Sequence, residues 1–290
     1  MIRAAVKSMR PHQWVKNVFV AFPLVFARLF TDAHAATRTA AAFGIFCLLS
    51  STVYLINDLV DVEKDRAHPV KRKRPIASGE LPASVARGLV VVLGAGALGA
   101  ATPLGLPFTA TAVAYLTLNL LYSFGLKKIA FVDVGCLAGG FILRVLGGAF
   151  ALPVEPSSWL LVCTLLLSLL LGFGKRAHEL RVSGEDGRAQ RDVLGHYDLV
   201  TLERLMVVLG GLTSLTYLAY TRSRHALEVL HVELIWTVPF VVFGIFRFIW
   251  ITSRKVDADS PTDSMMRDPL FVANLALYAI TVLAILHFGR

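Results

Sequence analysis

Predominantly apolar runs of roughly membrane-spanning length recur along this chain, near residues 15 to 30, 39 to 56, 84 to 101, 107 to 122, 131 to 150, 158 to 173, 203 to 220, 232 to 251 and 270 to 288. A segment in lipid must satisfy its own backbone N–H and C=O groups, and an α-helix does so within itself. The expected fold is therefore all-α, a polytopic membrane protein of about nine transmembrane helices forming one domain over residues 1–290. Composition agrees: 56% of residues are hydrophobic and only 17% charged, unlike a soluble globular domain.

Basic residues set the expected orientation. With a cytoplasmic amino terminus, Arg3, Lys7, Arg10 and Lys16, the stretch from Lys64 to Arg74, Lys127 and Lys128, the stretch from Lys175 to Arg191, and Arg254, Lys255 and Arg267 all fall inside. Arg38, Arg222, Arg224 and Arg290 are the main bases left outside, a bias that fits the positive-inside rule for an inner (plasma) membrane protein. The net charge of +9 then belongs mostly to the cytoplasmic face, attractive to anionic headgroups and phosphorylated substrates. No separate basic domain exists to carry nucleic acid.

Between the second and third runs lies Asn57-Asp58-Leu59-Val60-Asp61-Val62-Glu63-Lys64-Asp65. In a continuous helix residues 57, 61 and 65 share one face, with Asp58 on its flank. Acids crowded in this way call for a cation. Mg²⁺ suits them, because it takes oxygen ligands and is usually held by one or two carboxylates plus substrate phosphates. Asn57, Asp58, Asp61 and Asp65 are the expected metal ligands. Arg66, Lys71, Arg72 and Arg74 follow directly, as cationic partners for a metal-bound diphosphate.

Other signals carry less. Gly94-Ala95-Gly96-Ala97-Leu98-Gly99 matches a dinucleotide fingerprint literally but lies in an apolar helix with no preceding strand. Its glycines, like Gly139, Gly140, Gly147 and Gly148, read as close helix contacts. Ala33-His34-Ala35 resembles a signal-peptidase site, yet Pro23 and Arg28 interrupt the preceding apolar run. Cys47, Cys136 and Cys163 lack metal or redox spacing, and the histidines, His225 and His231 among them, are scattered. Arg144, deep in the fifth run, is costly in lipid and should face the interior as a clamp between helices, with Asp133 nearer the cytoplasmic mouth. Glu179 is expected to pair with Lys175, four residues away.

Asn57 to Asp65, the following Arg74-Pro75-Ile76 and the amino-terminal Arg10-Pro11-His12-Gln13-Trp14-Val15-Lys16-Asn17 resemble the UbiA superfamily of intramembrane prenyltransferases. The resemblance covers nearly the whole chain. It implies a central cavity capped by cytoplasmic loops, here about 57–83 and 174–201, with Mg²⁺ holding a diphosphate. Where that superfamily carries a second acidic motif, this chain has Gly174-Lys175-Arg176-Ala177-His178-Glu179-Leu180. Exchanging carboxylates for Lys and Arg weakens a second metal site and creates an anion site, which points to a substrate with a further phosphate.

With Asp65-Arg66-Ala67-His68-Pro69 and Tyr122-Ser123-Phe124-Gly125-Leu126-Lys127, these departures look like the superfamily's phosphoribosyltransferase branch. The resemblance implies Mg²⁺-dependent transfer of 5-phosphoribose from phosphoribosyl diphosphate to a decaprenyl-type polyprenyl phosphate, on the cytoplasmic side, for cell-wall arabinan. On that reading Asp58, Asp61 and Asp65 are catalytic, and Lys16, Asn17, Arg66, Lys71, Arg72, Arg74, Tyr122, Lys127, Arg144, Lys175 and Arg176 bind substrate. Homo-oligomerisation is left open. The rival readings are a prenyltransferase with a polyprenyl diphosphate donor and aromatic acceptor, and a lipid-phosphate transporter.

Overall fold

The structure is a computed structural model that describes residues 1–68, 70–183, 192–224, 226–227, 233–254 and 261–288. Pro69, Arg191, His225, His231, Lys255 and Arg290, and part of the 174–201 loop, lie outside the described residues. Regular structure among the described residues is helical throughout. The chain divides into two compact units, Met1–Lys127 with Gly139–Pro156, and Lys128–Ala138 with Ser157–Arg290.

The first unit contains α1 (Ile2–Met9), a 3₁₀ helix (Pro11–Ala21), α2 (Phe22–Phe26), α3 (Ala33–Val60), α4 (Val62–Ala67), α5 (Ala83–Ala101), α6 (Leu106–Phe124) and most of α7 (Val132–Ala151). The organising element is α3, which packs against α1, the 3₁₀ helix, α5 and α6. Asp32 caps it, accepting from the His34 and Ala35 amides at 2.7 and 3.1 Å. At 28 residues, α3 is about 42 Å long, against roughly 30 Å of hydrocarbon. That length exceeds the apolar layer, and the buried Asp58 lies in the last turn of the helix.

The second unit is built from the first turns of α7, α8 (Ser158–Ser183), α9 (Leu199–Thr221), α10 (Val238–Arg254), α11 (Pro261–Arg267) and α12 (Pro269–Phe288). Here α9 packs along α8, and α10 packs against both and against α12. Asp198 caps α9 through the Thr201 amide at 2.8 Å, and that hydrogen bonding holds its carboxyl below the usual range. Arg247 forks onto Asp268 at 3.1 and 2.8 Å, tying α10 to the start of α12.

Among the described residues seven helices are long and apolar enough to cross a membrane: Ala33–Val60, Ala83–Leu104, Val132–Ala151, Ser158–Val182, Leu199–Thr221, Leu234–Arg254 and Pro269–Phe288. The two other expected runs differ for chemical reasons. Residues 15 to 30 form the end of the 3₁₀ helix and the five-residue α2, interrupted by Pro23 and by Arg28 at φ 57°. Residues 107 to 122 do form a helix, α6, but Thr109, Thr111, Thr117 and Asn119 dilute its apolar character.

Glycines set the closest contacts, though not all those expected. A Cβ on Gly147 would lie 2.5 Å from Phe46, and one on Gly148 would collide with the Val20 carbonyl oxygen. On α5 only Gly94 faces a neighbour, 3.4 Å from Thr52; Gly96 and Gly99 face open space. The expected close approach through all three α5 glycines is therefore corrected to one. Gly148→Ala should lower stability by about 1–3 kcal/mol through overpacking, whereas Gly99→Ala should be neutral or gain about 0.5–1 kcal/mol of helix propensity. Melting in detergent checks both.

Candidate active site

Each acid of the motif carries a basic partner from elsewhere in the first unit. α3 ends at Val60 and Asp61 turns out of the helix at ψ 9°, yet the i to i−4 bonds continue across it, Asp61 N to Asn57 O at 2.9 Å and Asp65 N to Asp61 O at 2.8 Å. Seven positions of helix return almost to the same face. Asp58 and Asp65 accordingly meet one nitrogen, Arg74 Nη1, at 3.2 and 2.6 Å. Arg10 Nη2 reaches Asp58 at 2.6 Å, and Lys127 Nζ lies 2.7 Å from both oxygens of Asp61. The expected face of residues 57, 61 and 65 is thus rearranged: Asp58 joins Asp65, and Asp61 turns aside to Lys127.

Asp58 and Asp65 are buried, with Arg74 and Lys127 half-buried beside them. Burial keeps water from screening these pairs, so they hold geometry better than exposed ones. Among the described residues no group of three His, Cys, Asp or Glu side chains is arranged to hold a metal alone. The donor set still suits Mg²⁺. Two hard carboxylates converge on a point where a cationic nitrogen now stands, and this ion ordinarily takes its remaining ligands from water and substrate phosphate. Half-buried Asn57 lies one turn before Asp61.

The other bases divide. Arg66 is exposed and turned to Glu63 at 2.8 Å and the Ala77 carbonyl at 3.3 Å. Lys71 and Arg72 are exposed on the 3₁₀ turn Lys71–Lys73. Lys16 and Tyr122 are half-buried.

Asn17, expected to bind substrate, is fully buried. Its amide donates to Cys47 Sγ and Ser50 Oγ at 3.3 Å, and its oxygen accepts from Arg144 Nε at 2.7 Å. Arg144 also donates to the Gly140 carbonyl at 2.9 Å and the Tyr115 hydroxyl at 2.8 Å, with its guanidinium 4.8 Å from the Tyr115 ring centre. The expected clamp is present: Arg144 joins α7, α6, the 3₁₀ helix and, through Asn17, α3.

The second unit holds Arg176 differently from the expectation of a phosphate grip. It is fully buried, its Nε 2.9 Å from Asp133 Oδ2 and its Nη1 on Glu179. Asp133 is also fully buried and accepts from the Tyr197 hydroxyl at 2.6 Å, which in turn accepts from the Phe131 amide at 2.6 Å. Burial, and next the bond to Asp133, push the Tyr197 phenol well above its usual pKa, so it stays protonated as a donor. Asp133 is enclosed by these partners, and Glu179, expected beside Lys175, also meets Arg176 one turn away on α8. Half-buried Lys175 remains more accessible than its neighbour.

Arg10 went unassigned in the sequence because nothing local ties it to an acid 48 positions away. Its backbone offers a signal only in three dimensions: φ is 52° before Pro11, where extended backbone is preferred. Such conformations cost about 1–3 kcal/mol and cluster at functional sites.

Helices of spanning length, with paired acids and bases gathered at the end of α3, define a multi-pass membrane protein. Residues 18–275 match the model of the UbiA prenyltransferase family, and the chain belongs to that family. It is 33% identical over 302 residues to the decaprenyl-phosphate phosphoribosyltransferase of Mycobacterium tuberculosis, covering 100% of this chain and 96% of the relative. It is 36% identical over 258 residues to the protein of that name from Corynebacterium glutamicum, covering 84% and 75%. A UbiA homolog from Archaeoglobus fulgidus, solved bound to DMAPP and Mg²⁺, has the same fold at a TM-score of 0.68 and 17% identity, covering 97% of this chain and 99% of that one.

Two stability tests follow. Arg176→Met should cost about 3–5 kcal/mol, because it strands the buried Asp133 carboxylate, and adding Asp133→Leu should recover much of the loss. Asn17→Leu should cost about 1.5–3 kcal/mol by removing the acceptor of a buried charged donor. Denaturant melts of purified protein in detergent read both.

Proposed function

We propose that this chain transfers 5-phosphoribose from phosphoribosyl diphosphate to a decaprenyl-type polyprenyl phosphate, releasing diphosphate, on the cytoplasmic side of the plasma membrane. The observation that carries this reading is similarity over its whole length to the M. tuberculosis decaprenyl-phosphate phosphoribosyltransferase. The product serves lipid-linked pentose supply for cell-wall arabinan.

The mechanism divides among the residues. Asn57, Asp58, Asp61 and Asp65 would hold Mg²⁺, which when bound would supply positive charge to the diphosphate leaving group. Arg10, Arg74 and Lys127 supply fixed positive charge around that diphosphate. Arg66, Lys71 and Arg72, on the same loop, contribute longer-range attraction to an anionic donor. Lys16 and Tyr122 orient substrate beside them. Lys175 takes a further phosphate as a point charge, with Arg176 fixing the helix that carries it. Arg144 and Asn17 keep the helices around the site in register. The acceptor phosphate is already largely ionised at neutral pH, its second pKa being about 6. Attack on C1 therefore needs no dedicated general base, and positioning carries much of the acceleration. Direct displacement inverts the configuration at C1.

Purified protein supplied with labelled phosphoribosyl diphosphate, polyprenyl phosphate and Mg²⁺ should form a labelled phosphoribosyl lipid. Asp58→Asn and Asp61→Asn should each lower the rate at least about 100-fold while the protein still melts cooperatively. Transfer from a prenyl diphosphate to an aromatic acceptor, with none from phosphoribosyl diphosphate, would refute the proposal in favour of the prenyltransferase reading.

A further inference from the structure

We infer that the acid motif is closed by its own counter-ions and opens only to a divalent cation and a diphosphate arriving together, with Arg10, Arg74 and Lys127 changing partner from carboxylate to phosphate. This rests on the proposed placement of a metal-diphosphate at these residues.

The structure balances three acids with three bases, Arg74 being shared by Asp58 and Asp65. Asp58 is held by Arg10 at 2.6 Å and by Arg74 at 3.2 Å, Asp65 by Arg74 at 2.6 Å, and Asp61 by Lys127 at 2.7 Å. Three negative charges thus face three positive ones, with Asp58 and Asp65 both buried. A bare divalent cation must displace fixed cations from their carboxylates and leave them unpaired beside its own charge, in a setting where water compensates little. A bare diphosphate meets bases already neutralised, with carboxylates adjacent. Together the two ligands remove both costs. The metal takes carboxylate oxygens, and each released base finds a phosphate oxygen, for which guanidinium and ammonium donors are well matched.

The bases are placed to make that exchange. Arg10 follows α1 with its backbone in the left-handed region, Arg74 stands at the end of the Lys71–Lys73 turn, and Lys127 follows α6. All three are long side chains ending at the acids from separate segments, so each can swing a few ångströms without moving a helix. Arg10 thereby becomes a diphosphate-binding residue.

The test titrates purified protein in detergent with MgCl₂ alone, inorganic diphosphate alone, and MgCl₂ at fixed diphosphate, following the melting temperature and the heat of binding. Wild type should respond weakly to either ligand alone and strongly to both. Lys127→Gln and Arg10→Gln should shift the MgCl₂-only response to lower concentration about tenfold and weaken the response to the combination by about as much, one charged hydrogen bond being at stake. Equal Mg²⁺ affinity with and without diphosphate in wild type would overturn the exchange while leaving the site in place. Absence of any response to the combination would remove the site itself, and the inference with it.

Discussion

Charge pairing at the end of α3 is the constraint on which the first unit's layout depends. Acids at the edge of an apolar bundle are tolerable only with compensating charge close by. The chain brings that charge from three places: the residue after α1, the loop beyond α4, and the turn after α6. Those contacts fix how the flanking segments fold back over α3. The ion pairs that shape the first unit are made by the same side chains that we propose for substrate and metal.

A second device lies deeper and uses neutral partners. Arg144 is nearly buried, and its hydrogen bonds go to an amide oxygen, a backbone carbonyl and a phenol. Glycines beside it on α7 allow the approach that makes this geometry reachable, with Gly147 against Phe46 and Gly148 against the Val20 carbonyl. In lipid, where association gains little from the hydrophobic effect, close backbone contact and buried hydrogen bonds take over. The second unit repeats the principle with charge, since Arg176, Asp133, Glu179 and Tyr197 form one buried group joining α8, the start of α7 and the segment before α9.

Much of the fold was legible because hydropathy reports a solvent requirement, and seven of the expected runs are helices of spanning length and character. The departures have local causes. Pro23 and the Arg28 turn break the first run, and threonines and Asn119 weaken the fourth. In the candidate site the run of acids followed by bases was legible, but the expected face of 57, 61 and 65 was not kept, because α3 ends before Asp61, which meets Lys127 while Asp58 and Asp65 share Arg74. The fate of Arg176 was not, because a basic residue next to Lys175 reads as an anion ligand until Asp133, 43 positions earlier, is seen against it.

By itself the sequence determined the helical class, the membrane-spanning character and the acid motif followed by bases, because each is set by neighbours within a few turns of one segment. Only the tertiary structure decided which base serves which acid, that Arg10 meets Asp58, and that Arg176 is fully buried on Asp133. Partners 48 and 66 residues apart meet through helix packing, and no local periodicity encodes such a meeting.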